Sequence, residues 1–419
     1  MSEVRVDPHL DRYAARAAAL RASEIRALFS VASRPEVVSL AGGMPDTAAL
    51  DLEAVGDTLQ ALMAEDGARA LQYGGGQGDP ELREQLCEVM GAEGIDARAD
   101  DLVVTTGGQQ ALDLLAKMLC DPGDVVLAEG PTYVGALGAF QSYEARVVHV
   151  PMDAEGMDPD ALATRLEELH HEGRRPKLLY TVPSHQNPAG VSLSEERRHR
   201  VLALAQQWDL LVVEDNPYGL LDFKGEHHPP LVTLDPSRVV YVGTLSKVFS
   251  PGIRVGWVMA PGALRDKVVQ LKESADLCQS NLTQALAARW LREQPWRDQI
   301  DRFRERYRDR CRALTDALAA EMPHGCEWSQ PTGGLFVWAS VPEGIDTGEL
   351  LAKALNARVA YVPGRAFFAD GSGGRSLRLN FSFCGEDRLR EGVQRLAGVV
   401  QEELELRAAF GTQLDEGTS

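Results

Sequence analysis

The chain has 419 residues, 44% of them hydrophobic and 25% charged, with a formal net charge of −19. That length supplies a large core with two domains as the default, and the composition is that of an ordinary globular protein. The acidic balance argues against nucleic acid or a membrane surface as a partner, but not against an anionic substrate, because a few arginines can dominate a pocket. The first 26 residues are charged throughout and lack a signal-peptide core. No run of roughly 18 uncharged apolar residues is present, so no transmembrane helix is expected. Cys87, Cys120, Cys278, Cys311, Cys326 and Cys384 form no Cys-x-x-Cys pair or Cys/His cluster. No metal site is therefore expected, and most of the six read as buried thiols of a reducing cytoplasm.

In chain order, residues 1 to about 33 read as one or two amphipathic helical pieces, with Ser23-Glu24-Ile25-Arg26 as a helix start before Leu28 and Phe29. Residues 37–40 form a short strand leading into Ala41-Gly42-Gly43-Met44-Pro45-Asp46, where paired glycines let backbone approach another group closely. Residues 52–65 are helical by period. Leu71-Gln72-Tyr73-Gly74-Gly75-Gly76-Gln77-Gly78-Asp79-Pro80 is a glycine-rich loop, with Asp79 as N-cap and Pro80 as first residue of a helix through Met90. It is neither a Walker loop nor a Rossmann fingerprint, since no Gly-Lys-Ser/Thr follows and no strong strand precedes it.

From residue 102 onward strands alternate with helices. The predicted strands are 102–105, 125–129, 146–150, 177–182, 210–215, 239–243 and 255–260, with helices at 109–119, 133–142, 158–173 and 194–208. Near-continuous apolar strands in that alternation imply an α/β fold with a mostly parallel, seven-stranded sheet flanked by helices. Ligands of such sheets sit beyond the carboxyl ends of the strands. Residues 264–292 and 295–321 read as two long helices, the second a heavily charged, solvated helix in which Arg302, Arg304, Arg306, Arg308 and Arg310 alternate with acids. After Pro323, strands at 336–340 and 377–381 and helices at 347–356 and 386–406 read as a smaller α+β domain. The expected partition is an N-terminal arm (1–45) that is part of the small domain, a large domain (46–305) and a C-terminal small domain (306–419).

Chemically suggestive residues gather at the strand ends. Thr244-Leu245-Ser246-Lys247 leads through a Ser-Pro-Gly turn to Arg254. A lysine held in apolar surroundings has a lowered pKa, and its neutral amine can add to a carbonyl. Arg254 and the hydroxyls of Thr244 and Ser246 offer phosphate donors beside it. A lysine with phosphate donors suits pyridoxal 5'-phosphate (PLP), an aldehyde that carries a phosphate. Thr106-Gly107-Gly108-Gln109 puts glycines at a helix N-terminus, an anion site. Gly130-Pro131-Thr132-Tyr133 puts an aromatic at a strand end, Asn187-Pro188 puts an amide after another, and Glu214-Asp215-Asn216-Pro217-Tyr218 ends an apolar strand in a carboxylate that needs a partner. Each has an ordinary reading when taken alone: a solvent-near lysine, a helix entry without a ligand, a core aromatic, a common turn.

Together and in this order, these residues resemble fold-type I PLP enzymes, and within them the class I/II aminotransferases, from about Ser23 to Leu396. Ser23-Glu24-Ile25-Arg26, the stretch from Ser39 to Asp46 and the loop from Gln72 to Gly78 resemble the 2-aminoadipate/kynurenine aminotransferase branch. The resemblance implies a PLP-dependent transfer of an α-amino group from an amino acid to a 2-oxo acid, 2-oxoglutarate or pyruvate, by a homodimer with shared active sites; the cysteines point to the cytoplasm as its location. Lys247 would bond the cofactor and shuttle the proton at the substrate Cα. Asp215 would pair with the ring nitrogen, Asn187 and Tyr218 with the phenolic oxygen, and Tyr133 would stack on the ring. Gly108, Gln109, Ser246 and Arg254 would hold the phosphate, with Thr244 assisting and Tyr73 reaching the neighbouring subunit's phosphate. Arg378 would clamp the substrate carboxylate, with Asn187, Gly43 and Arg26 on the substrate side.

Two departures matter. The phosphate loop reads Gly107-Gly108-Gln109 where the branch more often has Gly-Ser-Gln, so one hydroxyl donor is missing. Pro183-Ser184-His185-Gln186 resembles the aminotransferase-like domain of GntR-type regulators, but about 30 preceding residues are too few for a DNA-binding module. The rival readings are elimination or oxidative PLP chemistry on the same scaffold, and a non-catalytic PLP-binding regulatory module.

Overall fold

The apolar runs in the middle of the chain assemble into one sheet. The computed structural model describes residues 9, 12–18, 34–226 and 228–416. Its strands in chain order are β1 (Val38–Ser39), β2 (Leu102–Thr106), β3 (Val125–Gly130), β4 (Arg146–Asp153), β5 (Gly156–Met157), β6 (Leu178–Thr181), β7 (Leu211–Asp215), β8 (Val239–Thr244), β9 (Val255–Met259), β10 (Glu327–Trp328), β11 (Phe336–Ser340), β12 (Val359–Ala360), β13 (Val362–Pro363) and β14 (Ser376–Asn380). The large sheet runs β2-β9-β8-β7-β6-β3-β4-β5. All seven predicted strands are in it, and the eighth, β5, is a two-residue antiparallel addition at the edge. Neighbours from β8 through β4 pair in parallel, while β9 runs antiparallel to both β2 and β8. Val126, Leu127, Leu178, Leu179, Val212, Val239 and Val240 are all fully buried. Burial does not alternate along these strands because helices cover both faces.

A second sheet, β10-β11-β14-β13, is antiparallel. Strand β1 pairs in parallel with β12, which stitches the segment before residue 45 to the C-terminal part of the chain. Helix starts follow local chemistry. Asp79 accepts from Leu82 N with Pro80 in the first turn, and Asp158 and Ser194 cap the helices predicted at 158–173 and 194–208 through Asp160 N and Arg197 N.

Three expectations are corrected. The helix predicted over 264–292 is two, Gly262–Asp276 and Asn281–Glu293. Leu277 takes a positive φ of 63°, and Ser280 caps the second helix through Thr283 N. The arginine series on the helix Trp296–Glu321 is not simply solvated: Arg306 and Arg310 both pair with Asp46, at 2.7 and 2.8 Å, and Arg304 Nε donates to Leu220 O at 2.8 Å. Four-residue spacing puts Arg306 and Arg310 on one face, where they anchor the 41–46 loop. Of the six free cysteines only Cys120 and Cys311 are buried; the other four are half-buried. Among the described residues no helix is long and apolar enough to cross a membrane. Arg26 and the predicted helix start around it lie outside the described residues.

Candidate active site

One cavity of ≈ 350 Å³ opens at the carboxyl ends of β2, β6, β7 and β8 and is faced from the other side by β11 and β14. Among the described residues, every predicted site residue lines it except Tyr73. Tyr73 is 77% exposed on the 71–78 loop. Among the described residues, three cations, Lys247, Arg254 and Arg378, and a single carboxylate, Asp215, border the cavity, so its field favours an anionic ligand.

Lys247 follows β8 by three residues, and its Nζ donates to Gly43 O at 2.7 Å. Burial, then the nearby charges of Arg378 and Arg254, lower its pKa from 10.5 to about 8, against the pull of Asp215. Asp215 ends β7 and is 6% exposed. Its Oδ2 accepts from Tyr180 Oη at 2.7 Å. Burial raises its pKa to about 6, with the Tyr180 bond and Lys247 opposing.

The turn after β8 is held from within. Thr244 Oγ1 accepts from Ser246 N at 3.1 Å and donates to Ser246 Oγ or Val255 O, at 2.9 and 3.0 Å. Arg254, at φ 53°, donates to Thr106 O and Pro251 O and lies against the N-terminus of the helix Gly107–Leu119. A Cβ on Gly107 would stand 2.4 Å from Arg254 Nη2, and one on Gly256 would stand 2.5 Å from the Gly107 carbonyl carbon. These two glycines let guanidinium, helix end and strand close into a cup. The N–H groups of a helix's first turn have no intrahelical partner, so cup, dipole and guanidinium suit a phosphate. At Gly108 the nearest atom to a Cβ would be Val242 Cγ1 at 3.8 Å, so the missing serine hydroxyl is not excluded by space. Gln109 instead spends its side chain on Gly135 O and Tyr133 Oη.

Arg378 sits mid-strand in β14, opposite Trp338 and Val362. Its Nη1 donates to Asn187 Oδ1 at 2.9 Å and its Nη2 to Ala41 O at 2.8 Å. Its Cζ lies 4.2 Å from the Phe336 ring centre. It is 4% exposed, its Nε has no partner, and burial lowers its pKa to about 10. Among the described residues no carboxylate pairs with it. Tyr218, 3% exposed, meets Phe336 edge-on at 6.1 Å; burial drives its pKa up while a bond from Asn187 opposes.

Sequence reasoning missed Tyr180 and Phe336. A tyrosine inside the buried run Leu178–Thr181 was a usable signal, because a buried hydroxyl needs a partner. Phe336 carried none, since it reads as any core aromatic. Lysine, carboxylate and phosphate cup converge as PLP requires, so the residues present fit that cofactor.

Comparison with known proteins agrees with this geometry. The family description "Aminotransferase class I and II" matches residues 35–396. The chain is 42% identical over 394 residues to aromatic-amino-acid aminotransferase 1 of Thermococcus litoralis, covering 94% of each. It superimposes on Pyrococcus horikoshii kynurenine aminotransferase in complex with PMP with a TM-score of 0.91 at 39% identity, covering 95% of this chain and 99% of that one. For the Thermus thermophilus alpha-aminoadipate aminotransferase complexed with N-(5'-phosphopyridoxyl)-L-leucine the TM-score is 0.88 at 36% identity, covering 94% and 99%. The chain belongs to the class I and II aminotransferases, fold-type I enzymes that use PLP to move an α-amino group from an amino acid to a 2-oxo acid.

Proposed function

We propose that the cavity around Lys247 is the catalytic centre of this aminotransferase and that Arg378 selects its substrates by their α-carboxylate. The observation that carries the reading is a buried guanidinium that donates only to neutral oxygens. Such a group is a strong, fork-shaped receptor for a carboxylate. Bound in the cavity, PLP supplies an electron sink for the charge left when Cα loses its proton. Lys247 Nζ, easily deprotonated in its buried and cationic surroundings, takes and returns that proton. Asp215 would hold the ring nitrogen, Asn187 and Tyr218 the phenolic oxygen, and Tyr133 would cover the ring face. Gly108, Gln109, Ser246 and Arg254 would hold the phosphate, and Thr244 shapes the turn that would present Ser246. Gly43 belongs to the substrate side, with 2-oxoglutarate or pyruvate as acceptor. The relatives above are named for aromatic amino acids, kynurenine and alpha-aminoadipate; all carry the α-carboxylate that Arg378 matches.

We further propose the domain partition 1–45 with 306–419 against 46–305, supported by the pairing of β1 with β12. The helix Trp296–Glu321 would then run from one unit into the other. A homodimer with shared sites is supported by Leu71 and Tyr73, 67% and 77% exposed on the glycine-rich loop. A cytoplasmic location is supported by six unpaired thiols.

The test is to mix the holoenzyme with amino acids and with the matching decarboxylated amines while following the cofactor spectrum. Amino acids should convert it to the pyridoxamine form, 2-oxoglutarate or pyruvate should reverse the change, and the amines should react poorly. Amines reacting as well as amino acids would remove Arg378 from the role. For the dimer, mixing Lys247→Ala with Tyr73→Phe subunits should recover activity above either parent; a fully active monomer in sedimentation would refute it.

A further inference from the structure

Glu129, next to last in β3, is 1% exposed, and among the described residues no cation pairs with it. Its carboxylate meets only neutral donors: Thr181 Oγ1 at 2.6 Å on one oxygen, and Val182 N at 3.2 Å with Gln186 Nε2 at 3.1 Å on the other. Gln186, also 1% exposed, donates as well to Pro131 O at 2.8 Å and accepts from Ala189 N at 2.8 Å. One side chain therefore joins the turn that carries Tyr133 to the turn that carries Asn187. The Glu129 backbone extends the join: its carbonyl accepts from His149 Nδ1, and His149 Nε2 accepts from Ala369 N, both at 2.8 Å. Asn187 in turn accepts from Arg378. A buried carboxylate without a cation is expensive to keep, which argues for a task beyond filling space.

We infer that Glu129 is a positioning residue which, through Gln186, sets where Asn187 and with it Arg378 stand opposite Tyr133 across the cavity. The inference rests on the reading above that Asn187 bonds the cofactor's phenolic oxygen and Arg378 the substrate carboxylate. Glu129 touches neither ligand; it works by fixing the height of one turn against the other. The geometry distinguishes substitutions. A glutamine at 129 keeps the set, because the Thr181 hydroxyl can reverse and accept from the new amide while the amide oxygen still receives Val182 and Gln186. A leucine of similar length leaves the Val182 N–H unpaired and frees one Gln186 donor.

The test compares Glu129→Gln, Glu129→Leu, Gln186→Ala and Asn187→Ala as holoenzymes. Three quantities are read: the pH midpoint of the bound cofactor's visible band, KM against kcat for an amino acid, and hydrogen exchange of the Ala189 amide. Glu129→Leu and Gln186→Ala should each move the midpoint in the direction Asn187→Ala moves it. Each should raise KM about tenfold, speed Ala189 exchange, and combine with the other less than additively. Glu129→Gln should stay within about twofold of wild type, as the conservative rescue. Should Glu129→Leu fail to fold, Gln186→Ala decides, because it leaves Glu129 its Thr181 and Val182 bonds. A folded Glu129→Leu or Gln186→Ala with wild-type midpoint and KM overturns the inference, as does a Glu129→Gln that behaves like Glu129→Leu. If Asn187→Ala itself leaves the midpoint unmoved, the reading of Asn187 falls first and the inference with it. If Asn187→Ala moves it and Gln186→Ala does not, only the role of Glu129 is lost.

Discussion

Glu214 and Asp215 are consecutive on β7, and strand alternation sends them to opposite faces of the sheet. Behind the sheet, Glu214 accepts from Leu231 N and Val232 N, both at 2.9 Å. Beside it the buried Arg198 donates to Leu193 O, Pro183 O, Pro229 O and Ser184 Oγ. On the cavity face, Asp215 has a tyrosine hydroxyl at 2.7 Å, and Arg378 has two neutral acceptors and a buried Nε without one. Burial alone does not separate the two pairs, since all four side chains are under a tenth exposed. Closure does. Where the protein satisfies its own buried charges, they hold the fold. Where it leaves them open around a cavity, they disfavour the empty fold and favour a charged ligand.

The largest effect that tests this contrast is on turnover. Lys247→Ala should lower it by roughly three or more powers of ten and abolish the visible absorbance of the bound cofactor, with folding retained. A variant with wild-type turnover would undo the assignment. Next comes Asp215→Ala, which should slow Cα-proton removal in a single turnover far more than it weakens substrate binding. Its neighbour provides the control: Glu214→Gln should cost about 1–3 kcal/mol of stability and leave the chemical step intact. Equal effects of the two on proton removal would erase the distinction between the faces.

Much of this was legible in the chain. Apolar runs without alternation gave the seven predicted strands of the sheet, and Lys247 and Asp215 stood out because charged residues at the ends of such runs need partners; Asn187, a common Asn-Pro turn by itself, was legible only through the family resemblance. What stayed hidden depended on distant pairing. Tyr180 is a strand tyrosine until β7 brings Asp215 to its hydroxyl, and Phe336 is a core aromatic until β14 lays Arg378 across it. The break at 277–280 was hidden because Leu277 has no residue-type signature for a positive φ. The break has a tertiary use: Gln279 Nε2 donates to Arg254 O at 2.7 Å, steadying the phosphate cup.

Arg378 and Arg198 extend the contrast to substitutions that keep the charge. Arg378→Lys replaces a planar fork with a point charge, so KM for amino acids and 2-oxo acids should rise by about one to two powers of ten. The bound cofactor's spectrum should stay the same. Arg198→Lys cannot reach four acceptors at once, so it should lower the melting temperature with near-normal KM. Measuring both quantities for both variants decides; a destabilised Arg378→Lys with intact kinetics would make Arg378 a second Arg198.

The last effect is on the stability of the cofactor-free protein, and its sign comes from Lys247. Its amine titrates near 8 in the folded chain against 10.5 ordinarily. Below about pH 8 both states hold the proton and the folded state bears the full penalty of a buried ammonium, up to about 3 kcal/mol. Between 8 and 10.5 the unfolded chain still holds a proton that the folded chain has shed, so this contribution raises stability as pH rises. Asp215 acts in the opposite direction at lower pH. Its carboxyl titrates near 6 rather than 3.8, so the folded state keeps a proton longer and stability falls as pH rises through that window. Lys247→Met removes the first contribution and its compensation of the second. Denaturant titrations at pH 7 and 10.5 should therefore find the cofactor-free variant more stable than wild type at pH 7, with the gap closing by pH 10.5. A gap that is absent at pH 7 or constant between the two pH values would mean that the Lys247 amine is not strained by its surroundings, and that the open face carries no stability penalty at that residue.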